Sequence, residues 1–240
     1  MTTMPPLGSV IQGSLTQGLE VRLHPDVSVE DLRVGKFLVV QGRRARFFCM
    51  LTDVVLGTAS PRILADPPAP NNQFLTQDLA GTGTYSTVNL SPMLTLITGD
   101  GDQPMELLPV KTVPSHFSQV YDASEQDFRS VFGWEDDPHR RNFAIGRPLD
   151  MDVPICVDLD RLVERSNGIF GKSGTGKSFL TRLLLCGIIH KQAAVNLIFD
   201  MHSEYGWEAM KEGKDVSMVK GLQQLFPDQI NIYTLDPAST

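Results

Sequence analysis

Gly171-Lys172-Ser173-Gly174-Thr175-Gly176-Lys177-Ser178 is the stretch on which the reading of this chain turns. It fulfils G-x-x-x-x-G-K-[ST] at every fixed position. Glycines reach backbone angles closed to other residues, so successive N–H groups can turn inward around an anion. A helix that starts here adds the positive end of its dipole. The spacing then directs the Lys177 ammonium at the β- and γ-phosphates of a nucleoside triphosphate and the Ser178 hydroxyl at Mg²⁺. At average composition the four fixed positions coincide in a chain of this length roughly once in a hundred times. The motif therefore predicts a site for ATP and Mg²⁺ formed by Gly171, Lys172, Ser173, Gly174, Thr175, Gly176, Lys177 and Ser178.

The flanks agree with that reading. Ile169 and Phe170 read as the end of a strand feeding the loop. Phe179, Leu180, Leu183, Leu184, Ile188 and Ile189 recur at helical spacing, which predicts a helix over 177–191. Ala194 to Phe199 is a compact apolar run ending at Asp200, as a buried parallel strand would. Strand, helix, strand is a βαβ unit, so the second half reads as α/β. Val153–Val157 and Gln229–Leu235 are further candidate strands, and Asp160–Arg165 a short helix. Ile230–Asp236 alternates apolar and polar residues and is followed by Pro237, so it reads as an ordinary strand end rather than a second acidic motif.

Asp200-Met201-His202-Ser203-Glu204-Tyr205 follows the apolar run directly. If that run neighbours the strand before the phosphate loop, both carboxylates lie at the carboxyl edge of the sheet, where ligands bind. Asp200 would then hold Mg²⁺ through a water, and Glu204 would orient or deprotonate the attacking water. The alternative is that Asp200 ends a strand and Glu204 caps a helix. His202 reads as a hydrogen-bonded loop residue.

The first half has a different rhythm. Gly8–Leu15, Leu19–Leu23, Lys36–Val40, Ala45–Val55, Arg62–Leu64, Thr84–Leu96 and Glu106–Val110 are short β-like runs separated by turn signals, a barrel or sandwich pattern. Pro67–Asn72 reads as a proline-rich loop. Ser124 with Asp127 three residues on opens a helix that Gly133 ends. The charged, proline-containing segment that follows reads as a linker, giving domains over 1–133 and 142–240 joined by 134–141.

The 240 residues include 41% hydrophobic and 20% charged, an ordinary globular balance. The net charge of -7 offers no bulk attraction for nucleic acid. Cys49, Cys156 and Cys186 are scattered, with no metal-ligand spacing, as suits a reducing cytoplasm. No signal peptide and no membrane-length apolar run is visible.

"FAIGRPLDMDVPICVDLDRLVERSNGIFGKSGTGKS" (143–178) and "NLIFDMHSEYG" (196–206) resemble the HerA-type ATPases of the FtsK–HerA group of P-loop motors. The β-rich front resembles the small HAS barrel that this family carries before its motor. Met201 stands where the family usually has proline and Ser203 where it usually has glycine. The resemblance implies a β-barrel followed by the first part of a RecA-like P-loop domain, with Asp200 and Glu204 functional. It also implies a homo-oligomeric ring, a hexamer, acting on double-stranded DNA with a nuclease or defence effector. In the family's pattern the main acidic pair, the arginine finger and the DNA-contacting loops come beyond Thr240. The chain is accordingly expected to be the front of a longer protein, with weak ATP binding and negligible turnover by itself. An assembly module with little turnover, or a motor acting on protein, are the competing readings.

Overall fold

A computed structural model describes residues 5–65, 79, 82–97, 106–148, 151–207, 209–210 and 218–234. They fall into two compact units, Met1–Val131 with Pro148–Met151 and Phe132–Arg147 with Asp152–Thr240.

The first unit is a closed β-barrel. Its strands are β1 (Gly8–Ser14), β2 (Gly18–Leu23), β3 (Phe37–Gln41), β4 (Arg46–Thr58), β5 (Thr84–Ile97), β6 (Glu106–Pro109) and β7 (Gln119–Asp122). Among the described residues the order is β2-β1-β7-β3-β4-β5-β6, and an extra β2–β5 pairing closes the first six into a ring with β6 hung on β5. All these pairings are antiparallel. Alternation sets which face points in: Leu19, Val21 and Leu23 are buried on β2, while Arg22 between them is exposed. The long β4–β5 hairpin slips register at Phe48/Cys49 and at Leu51/Asp53. Such bulges sharpen bend and twist, which lets one long strand turn the barrel's corner from β3 to β5. Closure leaves the ring itself without a free edge.

A helix, α2 (Glu125–Phe132), follows α1 (Pro61–Ala65) in chain order and belongs to the barrel's core. Phe128 stands edge-on to Phe37 and Phe48 at centroid distances of 5.6 and 5.8 Å. The expected capping box forms: Asp127 Oδ2 accepts from the Ser124 N–H at 2.8 Å and its hydroxyl at 2.6 Å. Gly133 ends the helix at φ +72°.

Two expectations for this unit change. Arg62–Leu64 lies within the helical turn α1 rather than in a strand. Ser60 precedes Pro61, its hydroxyl accepts from the Arg62 N–H at 3.4 Å, and proline is preorganised for a first helical position. β7 was not expected, because four residues with a polar start carry little periodicity. Pro67–Asn72 lies outside the described residues.

In the second unit β8 (Asn142–Gly146) pairs antiparallel with β9 (Ile155–Asp158), and α3 (Leu159–Val163) follows with Asp158 as its cap. The long helix α4 (Lys177–His190) packs on β8, where Gly187 lies so close to the Phe143 ring that a Cβ would come within 2.5 Å of it. β10 (Ala209–Met210) and β11 (Met218–Val219) form a short antiparallel pair before α5 (Leu222–Leu225).

The strands expected at 169–170, 194–199 and 229–235 are not formed among the described residues. Phe170 is 93% exposed and Phe199 87%. A parallel strand needs neighbours on both sides to satisfy its backbone and cover its side chains. No described strand pairs with these segments, so the apolar runs lie open.

Candidate nucleotide site

The loop 171–176 enters α4 without regular structure. Gly174 and Gly176 have φ of +75° and +87°, angles that a Cβ would strain. Gly176 is the N-cap residue, no side chain caps the helix, and its first turn holds no acidic residue. Among the described residues the chain offers no cap for the α4 N-terminus, and the dipole's positive end faces the loop, an arrangement that suits an anion. Lys177 and Thr175 both turn back onto the loop. The Lys177 ammonium and the Thr175 hydroxyl each donate to the Lys172 carbonyl at 2.7 Å.

The acidic segment reaches this loop. The Ser178 hydroxyl donates to Glu204 Oε2 at 2.6 Å, joining residues 26 apart in sequence. Asp200 is engaged by the backbone of its own segment. Its Oδ1 accepts from the Glu204 N–H at 3.0 Å and its Oδ2 from the Tyr205 N–H at 2.9 Å. Burial raises the Asp200 pKa, but backbone N–H groups of Tyr205, Glu204, His202 and Gly206 outweigh it and hold the carboxyl below its ordinary value. Ser203, within the turn so formed, sits at φ +55°, in the left-handed region where glycine is at ease. On the far side the Tyr205 carbonyl accepts from the Leu222 N–H at 2.9 Å, bracing the segment against α5.

The sequence reading expected Asp200 at the metal and Glu204 at the attacking water. In the structure it is Glu204 that touches Ser178, while each Asp200 oxygen is engaged by backbone. The helix-cap alternative does not describe Glu204, whose carboxylate crosses to another element, and among the described residues no strand ends at Asp200. Arg182 escaped the sequence reading altogether. It is buried on α4 and donates from Nη2 to the Glu204 carbonyl. Its one signal in the sequence is a charge in the middle of an apolar helix.

The sequence matches the family model for the central domain of the helicase HerA over residues 143–239, and that for the HAS barrel domain over residues 7–102. The chain carries the domain pair of the HerA-like ATPases. None of the curated proteins compared with it matches significantly. HerA-like proteins are P-loop motor ATPases; they use a nucleotide, usually with Mg²⁺, and generally form oligomeric rings. In this HerA-like chain the matched barrel range stops before β7, which completes the closure. Among the described residues no helix is long and apolar enough to cross a membrane.

The groups present suit Mg²⁺. Ser178 and Glu204 offer hard oxygens, whereas no cluster of three or more His, Cys, Asp or Glu that could hold a metal occurs among the described residues. Mg²⁺ is commonly held by one or two protein oxygens together with substrate phosphates, and rarely by an all-protein cage.

Proposed function

We propose that this HerA-like chain binds Mg²⁺·ATP at Gly171–Ser178 and hydrolyses it as a subunit of a cytoplasmic ring, a hexamer, that moves along double-stranded DNA with a nuclease or defence effector as partner. The domains are 1–133 and 142–240, joined by 134–141. The observation that carries the reading is the Ser178–Glu204 hydrogen bond. It puts a carboxylate from a separate segment on the hydroxyl that a P-loop devotes to its metal.

Each group has a role that follows from its chemistry. The N–H groups of the loop and of the first turn of α4 bind phosphate oxygens. Lys177 gives up the Lys172 carbonyl and places a full positive charge at the β- and γ-phosphates. Mg²⁺, when bound, neutralises charge that develops on those phosphates. Ser178 and Glu204 are the groups that hold it, and Glu204 also orients the attacking water or accepts its proton. Asp200 fixes the turn that carries Glu204.

One observation favours a second reading, an ATP-binding assembly module with little turnover. Lys177 and Ser178 are both engaged by the chain's own oxygens, so nucleotide must displace two internal contacts before it binds. Steady-state ATPase activity of the assembled ring with and without duplex DNA separates the two. Strong stimulation by DNA is expected of a translocase. A rate that DNA leaves unchanged favours the module, or a motor acting on protein.

A further inference from the structure

Arg182 stands four residues after Ser178, so both lie on one face of α4. It is 7% exposed. No carboxylate pairs with it among the described residues, and its buried Nε finds no hydrogen-bond partner there. A guanidinium taken out of water without a counter-ion is costly. Packing alone would be met better by an aliphatic side chain at this position. Among the described residues the arginine makes one hydrogen bond, from Nη2 to the carbonyl of Glu204.

Helix α4 therefore grips residue 204 at two points. Ser178 holds its carboxylate and Arg182 holds its backbone. The two grips differ in what nucleotide does to them. If Mg²⁺·ATP takes the Ser178 hydroxyl, as the proposed function requires, the first grip is given up. Arg182 is then the hydrogen bond that still ties residue 204 to the helix.

We propose that Arg182 is a positioning residue that holds Glu204 at the metal side of the P-loop once Ser178 is engaged by Mg²⁺·ATP. This rests on the reading of 171–178 as a nucleotide site. Arg182 touches neither phosphate nor metal; it acts through the Glu204 carbonyl. Asp200 fixes the same turn from within, through the N–H groups of Glu204 and Tyr205, so the turn's shape and its attachment to α4 are set by different residues.

The test is the apparent Mg²⁺ affinity of the 240-residue chain, from titration of Mg²⁺ at fixed fluorescent ATP analogue, with a parallel nucleotide titration in EDTA. Arg182→Met keeps the aliphatic stem and removes the donor. Nucleotide affinity in EDTA is expected to stay at the wild-type value, because the phosphate cradle is untouched. Apparent Mg²⁺ affinity is expected to fall roughly tenfold to a hundredfold, the usual loss when a residue supporting a metal ligand is removed. Arg182→Lys keeps the charge and one donor, and its affinity is expected between wild type and Glu204→Gln. An unchanged Mg²⁺ affinity in Arg182→Met overturns the proposal. Should that variant not fold, Arg182→Lys decides, and an affinity no better than that of Glu204→Gln overturns it. Lys177→Ala separates the underlying reading: wild-type nucleotide affinity in that variant removes the site itself, whatever Arg182 does.

Discussion

Replacing Asp127 by asparagine tests how α2 is built into the barrel. The side chain is 2% exposed and both oxygens are committed. Oδ1 meets Arg46 Nη2 at 2.7 Å, and Oδ2 takes the two Ser124 donors. An amide has one accepting oxygen. Whichever way it turns, its NH₂ faces a donor, either the guanidinium or the Ser124 N–H and hydroxyl. Breaking a buried ion pair by removing one partner costs about 3–5 kcal/mol. Arg46 keeps 28% of its side chain exposed, so water recovers part of that. The loss of the capping box adds about 1 kcal/mol. A net loss of about 2–4 kcal/mol is expected for the barrel. Urea unfolding of the whole chain, followed by the β-sheet signal in circular dichroism, measures it. The cycle with Arg46→Met should return a coupling of about 1–3 kcal/mol. A loss below about 0.5 kcal/mol, the range of an ordinary surface change, would show that the pair does not hold α2 to the sheet.

Glu204→Gln should leave nucleotide affinity in EDTA unchanged, weaken apparent Mg²⁺ affinity roughly tenfold or more, and slow turnover of the assembled ring; unchanged Mg²⁺ affinity and turnover would return Glu204 to a purely local role. Met1–Gly133 expressed alone should melt cooperatively, since the ring closes and α2 completes its core within that span; a broad, non-cooperative melt would refute its independence. Burial pushes the Cys49 thiol up to about 12, so alkylation at neutral pH should reach it only when the barrel unfolds, and labelling in the native state would contradict the core described. Asp200 has a lowered pKa, so its hold on the turn is complete above the ordinary carboxyl value of 3.8 and is lost as pH falls through the lower folded value. The Glu204 and Tyr205 amide resonances should titrate with a midpoint below 3.8, and a midpoint above it would be contrary.

Legibility differed between the two halves for physical reasons. Antiparallel strands with one face inward announce themselves by alternation, and β1 to β6 stand close to where the sequence puts them. β7 was silent because a four-residue strand between established neighbours is specified by its partners, β1 and β3, and hardly by its own pattern. The capping box at Ser124 and Asp127 was legible because its chemistry is local. Asp127's second partner, Arg46, is 81 positions away and left no sign. In the α/β unit the apolar runs at 169–170 and 194–199 carry the composition of parallel strands. Composition cannot provide the neighbouring strands that such a ladder needs, and none pairs with them among the described residues.

The site followed the same division. The phosphate-loop motif is contiguous, so the sequence alone names its residues. The acidic segment was readable as a segment, but the division of labour within it was not. Which carboxylate crosses to Ser178 depends on the turn at Ser203, whose left-handed backbone turns Glu204 toward α4 and leaves Asp200 to the N–H groups. Arg182 was invisible because its partner is a carbonyl, which every residue has.

The central claim is that Gly171–Ser178 holds the phosphates of ATP. Titrating a fluorescent ATP analogue into wild type and Lys177→Ala tests it most directly. On the proposed function Lys177 gives the phosphates a charge-assisted contact, worth about 1.5–3 kcal/mol. The variant should therefore bind at least roughly tenfold more weakly, with its fold unchanged by circular dichroism. Equal affinities in the two proteins would mean that the loop is not the nucleotide site.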